Sequence, residues 1–237
     1  MRSAVVRSLL PLGLSLSMLM AWEASAGAVK PSQAADVIYL YGVDPEPNDP
    51  QRMAVGVSAL MNSLQQNQPG SRIYVFQERK DPSKYVLLQV LKGELPSALQ
   101  GAARQWRKKF FIDNDHLSTR VHAFVLGSTL VEGDKSLNVG PGSFVRIRHV
   151  DADPLKRTQN APLFAQLHER LKLFPGLQDF QIWMWNARTN HWTVLEVWES
   201  QALSDRAEAD ETINEIWSDV HGNAAAPENQ GEYRLVN

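Results

Sequence analysis

Hydrophobic and polar residues alternate along residues 191–200, HWTVLEVWES, with the period of a β-strand. The alternation puts Glu196 and Trp198 on the same face of that strand. A segment with the same pattern lies 107 residues upstream, at residues 84–93, and it carries Gln89 where the later segment carries Glu196. The repeated strand predicts two copies of one structural unit.

Each copy shows the same order of strand-like and helix-like patterns. In the first copy, the patterns predict a strand at 37–43, a helix at 50–68, a hairpin of strands at 72–77 and 84–91, a helix at 95–110 and a strand at 119–126. In the second, a strand at 144–150 precedes a helix between the signals Asp153-Pro154 and Pro175-Gly176. A hairpin at 179–186 and 191–199, a helix over 203–217 and a short strand at 233–236 complete it.

This β-α-β-β-α-β order predicts an α+β fold of two ferredoxin-like repeats, at residues 36–130 and 142–237. Residues 127–142 are polar, contain glycine and show no periodicity, as in a linker. Such a sheet carries helices on one face only, yet the central strands are apolar on both faces. We therefore expect each copy to cover the other's bare face, as an internal pseudo-dimer.

The first 26 residues have the pattern of a secretory signal peptide. Arg2 and Arg7 precede a run of about a dozen mostly apolar residues, which is short for a membrane span of about 20 residues. Ala24 and Ala26 then fit the small-x-small cleavage pattern. We expect cleavage after Ala26, no membrane anchor afterwards, and a periplasmic or secreted protein; a retained N-terminal anchor is the alternative.

Composition narrows the chemistry. The chain has no cysteine, which excludes disulfides, thiolate catalysis and cysteine metal sites. Its net charge of −2 indicates neither nucleic acid nor an anionic membrane as a partner. Histidines and carboxylates show no metal-binding spacing, so we predict no metal.

The segment Glu196-Val197-Trp198-Glu199-Ser200, after a Pro-Gly turn and a hairpin and before a helix, resembles the antibiotic-biosynthesis-monooxygenase family of dimeric α+β barrels. The resemblance implies the same barrel within one chain. It also implies cofactor-free oxygenation of aromatic or quinol compounds, or haem degradation. The haem-degrading branch ligates iron through a histidine in the helix that follows, and here that helix has no histidine before His221.

The predicted catalytic residues are Glu196, Trp198, Arg146 and His149. A carboxylate between apolar strand neighbours is a candidate general base, which would turn the substrate into an anion able to give an electron to O₂. The alternative is a structural ion pair between Glu196 and Arg146 or Arg148 on the neighbouring strand. His149, and His168 on the following helix, are candidate proton shuttles or haem ligands, or else hydrogen-bonded structural residues.

The predicted ligand-binding residues are Trp183, Trp185, Trp217 and His168. Indoles can form a flat pocket for a planar aromatic ligand, although they also commonly fill a core. We therefore expect a monooxygenase-like protein that acts on a small aromatic or quinol compound with O₂ and without a cofactor. The alternatives are a non-catalytic binder of a planar apolar ligand such as haem, and an interaction module. The sequence leaves homo-oligomerisation open.

Overall fold

A computed structural model describes residues 37–44, 50–67, 69–90, 110–114, 119–133, 136–185 and 188–236. The predicted signal peptide and most of the predicted helix over 95–110 lie outside the described residues. The described strands and helices are, in chain order, β1 (Val37–Asp44), α1 (Pro50–Asn67), β2 (Arg72–Glu78), β3 (Tyr85–Val90), β4 (Phe110–Asn114), β5 (Thr119–Glu132), β6 (Phe144–Asp151), α2 (Asn160–Leu171), β7 (Leu177–Trp185), β8 (Arg188–Trp198), α3 (Gln201–Glu208), α4 (Glu211–Gly222) and β9 (Asn229–Leu235).

All strand pairs are antiparallel and belong to one curled sheet. The hydrogen-bonded order is β1-β3-β2-β9-β6-β8-β7-β5-β4. In addition, the whole length of β1 pairs with residues 122–129 of β5. Eight strands therefore form a closed ring, and β4 pairs with the first residues of β5 outside that ring.

The ring contains two sets of four strands with the same order. In the first set β5 lies beside β1, then β3, then β2; in the second, β9 lies beside β6, then β8, then β7. This is the ferredoxin-like arrangement, so the predicted fold class is confirmed. The sets join where β2 pairs with β9 and where β5 pairs with β7.

The two faces of the second set pack in different places because side chains alternate along each strand. One face packs beneath α2, α3 and α4, where buried residues include Phe144, Phe164, Trp192, Trp198 and Trp217. The other face packs against strands of the first set, and this inner cluster contains Phe76, Val86, Leu88, Val145, Ile147, Trp183, Leu195 and Val197. Each large apolar side chain buried in this way contributes about 1.5–3 kcal/mol.

Several boundaries differ from the predicted ones. Phe110 begins β4 and does not end a helix, and β5 continues to Glu132, through residues predicted as linker. The last predicted helix is two helices, because the Asp210 side chain accepts a hydrogen bond from the Ile213 backbone N–H and so caps α4 separately. α2 begins at Asn160, since residues 154–159 form turns.

Among the helices of the described residues, none has the length and hydrophobicity needed to cross a membrane.

Candidate functional site

Strands β6 and β8 bring three charged side chains beneath the helices. Arg146 and Arg148 alternate with apolar neighbours on β6 and share the helix-facing side with Phe144, and Arg146 lies directly opposite Glu196 of β8. The pairing predicted from sequence between this carboxylate and the arginines is therefore present. Arg148 is the closer partner in charge, with 3.5 Å between its Nε and Glu196 Oε1.

Glu196 is enclosed by its partners. The Trp198 indole N–H donates to Glu196 Oε2 at 3.0 Å, while Arg148 faces the other carboxylate oxygen. The Glu196 side chain is 3% exposed, and Trp198 is fully buried. A general base must come within about 2.6–3.2 Å of the proton that it removes, directly or through one water. In this structure both carboxylate oxygens are instead directed at protein donors.

Arg148 links the carboxylate to the helices. Its Nη1 donates to Glu228 at 3.1 Å, its Nη2 donates to Glu208, and its guanidinium carbon lies 4.4 Å from the centre of the Trp217 ring. Trp217 thus forms a cation–π contact with an arginine of this chain. The predicted role of Trp217 as a pocket wall stays a prediction.

Arg146 extends the same charge network. Its Nη1 donates to Ser204 Oγ at 2.8 Å and lies 2.8 Å from Glu208 Oε1, and its Nη2 lies 3.2 Å from Asp205 and 3.7 Å from Glu232. The Arg146 side chain is 1% exposed. Its carboxylate partners are more exposed, with Asp205 at 54% and Glu208 at 34%, so a buried guanidinium is paired here with carboxylates that reach solvent.

His149 faces the opposite side of β6, inside the ring. It shares a hydrogen bond of 3.0 Å between Nδ1 and Thr193 Oγ1, and the same hydroxyl oxygen accepts from the Trp185 indole at 2.9 Å. Burial lowers the pKa of His149 to about 4, so the imidazole is neutral at physiological pH. His149 and Trp185 are therefore together, but on the face opposite Glu196.

His168 lies on α2, away from both groups. Its ring stacks on Phe180 of β7, with 4.7 Å between ring centres and an angle of 23°. Beside it is an open groove of about 460 Å³. Trp183, the remaining predicted ligand residue, is fully buried in the inner cluster. The predicted residues thus lie in four places: beneath the helices, at two positions inside the ring, and beside the groove.

The acidic partners of the arginines were not predicted. Asp205, Glu208, Glu228 and Glu232 come from α3, the segment after α4, and β9. Neither spacing nor alternation relates them to β6, so only the packing of α3 and β9 reveals them. The signal available in the sequence was the pair of arginines on one face of a buried strand, which requires nearby carboxylates.

No group of three or more histidine or acidic side chains within the described ranges has a geometry that could hold a metal ion. The two histidines considered as haem ligands differ in their surroundings. His149 faces the inside of the ring, whereas His168 borders the open groove.

No protein-family model matches the sequence, and no curated protein matches it. Solved structures do resemble the fold. An anthrone oxidase-like protein matches with a TM-score of 0.66 and 9% identity, over 86% of this chain and 93% of the other. A candidate monooxygenase from Fusobacterium nucleatum matches with a TM-score of 0.63 and 10% identity, over 86% and 94%.

A ferredoxin-fold protein from Listeria monocytogenes, related to antibiotic biosynthesis monooxygenases, matches with a TM-score of 0.52 and 16% identity, over 86% of this chain and 96% of its own. At these identities the likeness shows the fold alone. The chain therefore shares the ferredoxin-like fold of these proteins, and the resemblance predicted from sequence is confirmed at the level of fold.

Proposed function

We propose that this chain is an exported protein of monooxygenase-like fold that binds a small planar aromatic molecule in its second half, without oxygenating it through Glu196. One contrast in accessibility carries the proposal. The Glu196 carboxylate is 3% exposed and engaged by Arg148 and Trp198, whereas the stacked His168 ring borders an open groove of about 460 Å³. Small-molecule sites usually have volumes of about 300–1,000 Å³.

The binding test uses the mature protein and 2-naphthoate as a planar probe, followed by calorimetry. We expect saturable binding that His168→Ala weakens by about tenfold, because a ring stacked on an aromatic partner contributes about 1–1.5 kcal/mol. The matched control is His221→Ala, which removes an imidazole that stacks on Trp217 outside the groove. Equal affinities of the wild-type protein and His168→Ala would contradict the proposal.

The second candidate is a cofactor-independent monooxygenase that uses Glu196. The names of structures with the same fold favour it, and so does a carboxylate set among aromatic side chains. Oxygen uptake with hydroquinone, measured against the protein-free rate, separates the two. We expect no uptake above that rate. Uptake that Glu196→Gln abolishes, in a variant that remains folded, would replace the binding proposal with the oxygenase.

Haem is the alternative ligand, and hemin titration addresses it directly. A Soret shift that His168→Ala abolishes would make haem the planar ligand of the groove. A shift that only His149→Ala abolishes would instead move the binding site to the inside of the ring and overturn the assignment to the groove.

A further inference from the structure

The groove beside α2 is lined by charged groups of both signs and by aromatic rings. It is formed by the last turns of α2, the beginning of β7 and the end of β5, and its lining residues are Gly133, His168, Lys172, Leu177, Gln178, Asp179 and Phe180. The lining includes an ammonium group, a carboxylate, and the stacked rings of His168 and Phe180. This combination of groups restricts which molecules fit.

The stacked rings are held in place from below. Phe180 is 2% exposed and belongs to the core beneath the helices, and the His168 imidazole stacks on it. One face of the imidazole is thereby fixed against the core, while the residue borders the groove. A flat aromatic ring can stack on this imidazole with little loss of side-chain freedom.

Lys172 supplies the positive charge. Its Nζ donates to Glu169 Oε1 at 2.7 Å, and the two side chains are 48% and 74% exposed. This hydrogen bond holds the pKa of Glu169 below its usual value. An exposed pair of this kind contributes little net stability, so a ligand carboxylate can replace Glu169 as the partner of Lys172 at small cost.

Asp179 carries the opposite charge. Its Oδ1 accepts from the Phe180 backbone N–H at 2.7 Å, and its Oδ2 accepts from the Asn138 backbone N–H at 2.6 Å. These hydrogen bonds hold the carboxylate in place. A bound anion is repelled by Asp179 and attracted by Lys172.

Gly133 forms the remaining wall. It has a φ of +101°, and a Cβ there would collide with the carbonyl oxygen of Phe180. The absence of a side chain lets the residue after β5 lie against β7 at the groove.

We propose that this groove selects planar aromatic acids, with the ring stacked on His168 and the carboxylate bound to Lys172. This inference rests on the proposed function and adds the ligand class. Recognition of the acid is charge-assisted, so it weakens as salt screens the lysine.

The test compares 2-naphthoate with its neutral analogue 2-naphthylmethanol, by calorimetry on the mature protein at low and high salt. We expect the wild-type protein to bind the acid about tenfold more tightly than the alcohol, as one charge-assisted hydrogen bond allows. Lys172→Gln should remove most of that preference, chiefly by weakening the binding of the acid, and Lys172→Arg should retain it. Lys156→Gln, which changes a lysine bonded to the Gly222 carbonyl elsewhere, is the matched control.

The outcomes separate the two proposals. Equal binding of acid and alcohol by the wild-type protein overturns the acid preference and leaves planar-ligand binding intact. A preference that survives Lys172→Gln overturns the assignment to Lys172. Absence of binding by either compound overturns both proposals together.

Discussion

The central strands of the two four-strand sets differ in charge at one buried position. In β3 this position is Gln89, and in β8 it is Glu196, at the corresponding place in the repeat pattern. The Gln89 amide donates to the Ser71 hydroxyl at 3.0 Å, whereas the Glu196 carboxylate faces Arg148 and Trp198. Both positions are almost fully buried, yet one holds a neutral group and the other a charged one.

The strands that pair with these two positions also differ in the charge of their side chains. Tyr39 of β1 lies opposite Gln89, while Arg146 of β6 lies opposite Glu196, and Tyr41 holds the place that corresponds to Arg148. The buried carboxylate therefore occurs together with two arginines, and the neutral amide occurs with two tyrosines at the matching places. Glu196 and the two arginines therefore form one structural group of charged residues, which favours the ion-pair interpretation over catalysis.

The largest expected effect comes from removing the arginine next to Glu196. Arg148→Met leaves the carboxylates of Glu196, Glu208 and Glu228 without their shared cation. It should lower the free energy of unfolding by about 3–5 kcal/mol, measured by urea denaturation. Arg206→Met on the exposed side of α3 should change it by less than about 0.5 kcal/mol. Similar losses in both variants would show that Arg148 contributes no more to the free energy of unfolding than an exposed arginine.

The next effect comes from placing a charge where the first set holds an amide. Gln89→Glu puts a carboxylate opposite Tyr39 and should cost about 1–3 kcal/mol at pH 7. Burial favours the neutral acid, so the difference from the wild-type protein should shrink as pH falls and the introduced carboxylate becomes protonated. A difference that does not change with pH would mean that shape, and not charge, separates the two positions.

The reverse exchange should be milder. Glu196→Gln keeps an acceptor for the Trp198 indole, and Arg148 keeps Glu208 and Glu228, so we expect a loss of about 1 kcal/mol. Denaturation side by side with Gln89→Glu provides the comparison. If Glu196→Gln were the more damaging of the two, the coupled-charge explanation would be wrong.

The smallest effect concerns His149, whose place in β1 is taken by Gly42. The pKa of His149 lies near 4 when folded and near 6.5 as a free side chain, because burial disfavours the charged form. Between these values only the unfolded chain binds the proton, so the free energy of unfolding should fall as pH decreases from 6.5 to 4.

We expect a change of about 1 kcal/mol across this window, less than the full shift implies, because the imidazole is only partly shielded from water. Below pH 4 both states are protonated and above pH 6.5 neither is, so the dependence on this group ends at both limits. Denaturation midpoints of the wild-type protein and His149→Gln across this range provide the measurement. An identical pH profile for the two proteins would exclude His149 as its source.

Local patterns predicted most of the fold. The alternation over residues 191–200 and 84–91 correctly predicted β8 and β3, and the ferredoxin-like order followed from the succession of elements. The predicted end of the helix at Phe110 was wrong. The apolar spacing there also suits a helix, and pairing of this segment with β5 decides in favour of a strand.

The candidate site was only partly predictable. Adjacent strands and period-two alternation place Arg146 and Arg148 with Glu196, which local rules can anticipate. The groove combines His168 of α2 and Lys172 just after that helix with Phe180 of β7 and Gly133 just after β5. Its formation depends on how closely β5 approaches β7, and no local pattern encodes that distance.

By itself, the sequence determined the α+β class, the order of strands and helices, and which side chains share a face, because these follow from backbone periodicity. Three features follow only from three-dimensional packing: the pairing of β2 with β9 and of β5 with β7, the contacts of Arg148 and Trp198 with the two oxygens of Glu196, and the groove beside His168. These outcomes depend on contacts between residues far apart in the chain, where burial and electrostatics act through distances that the order of residues does not contain.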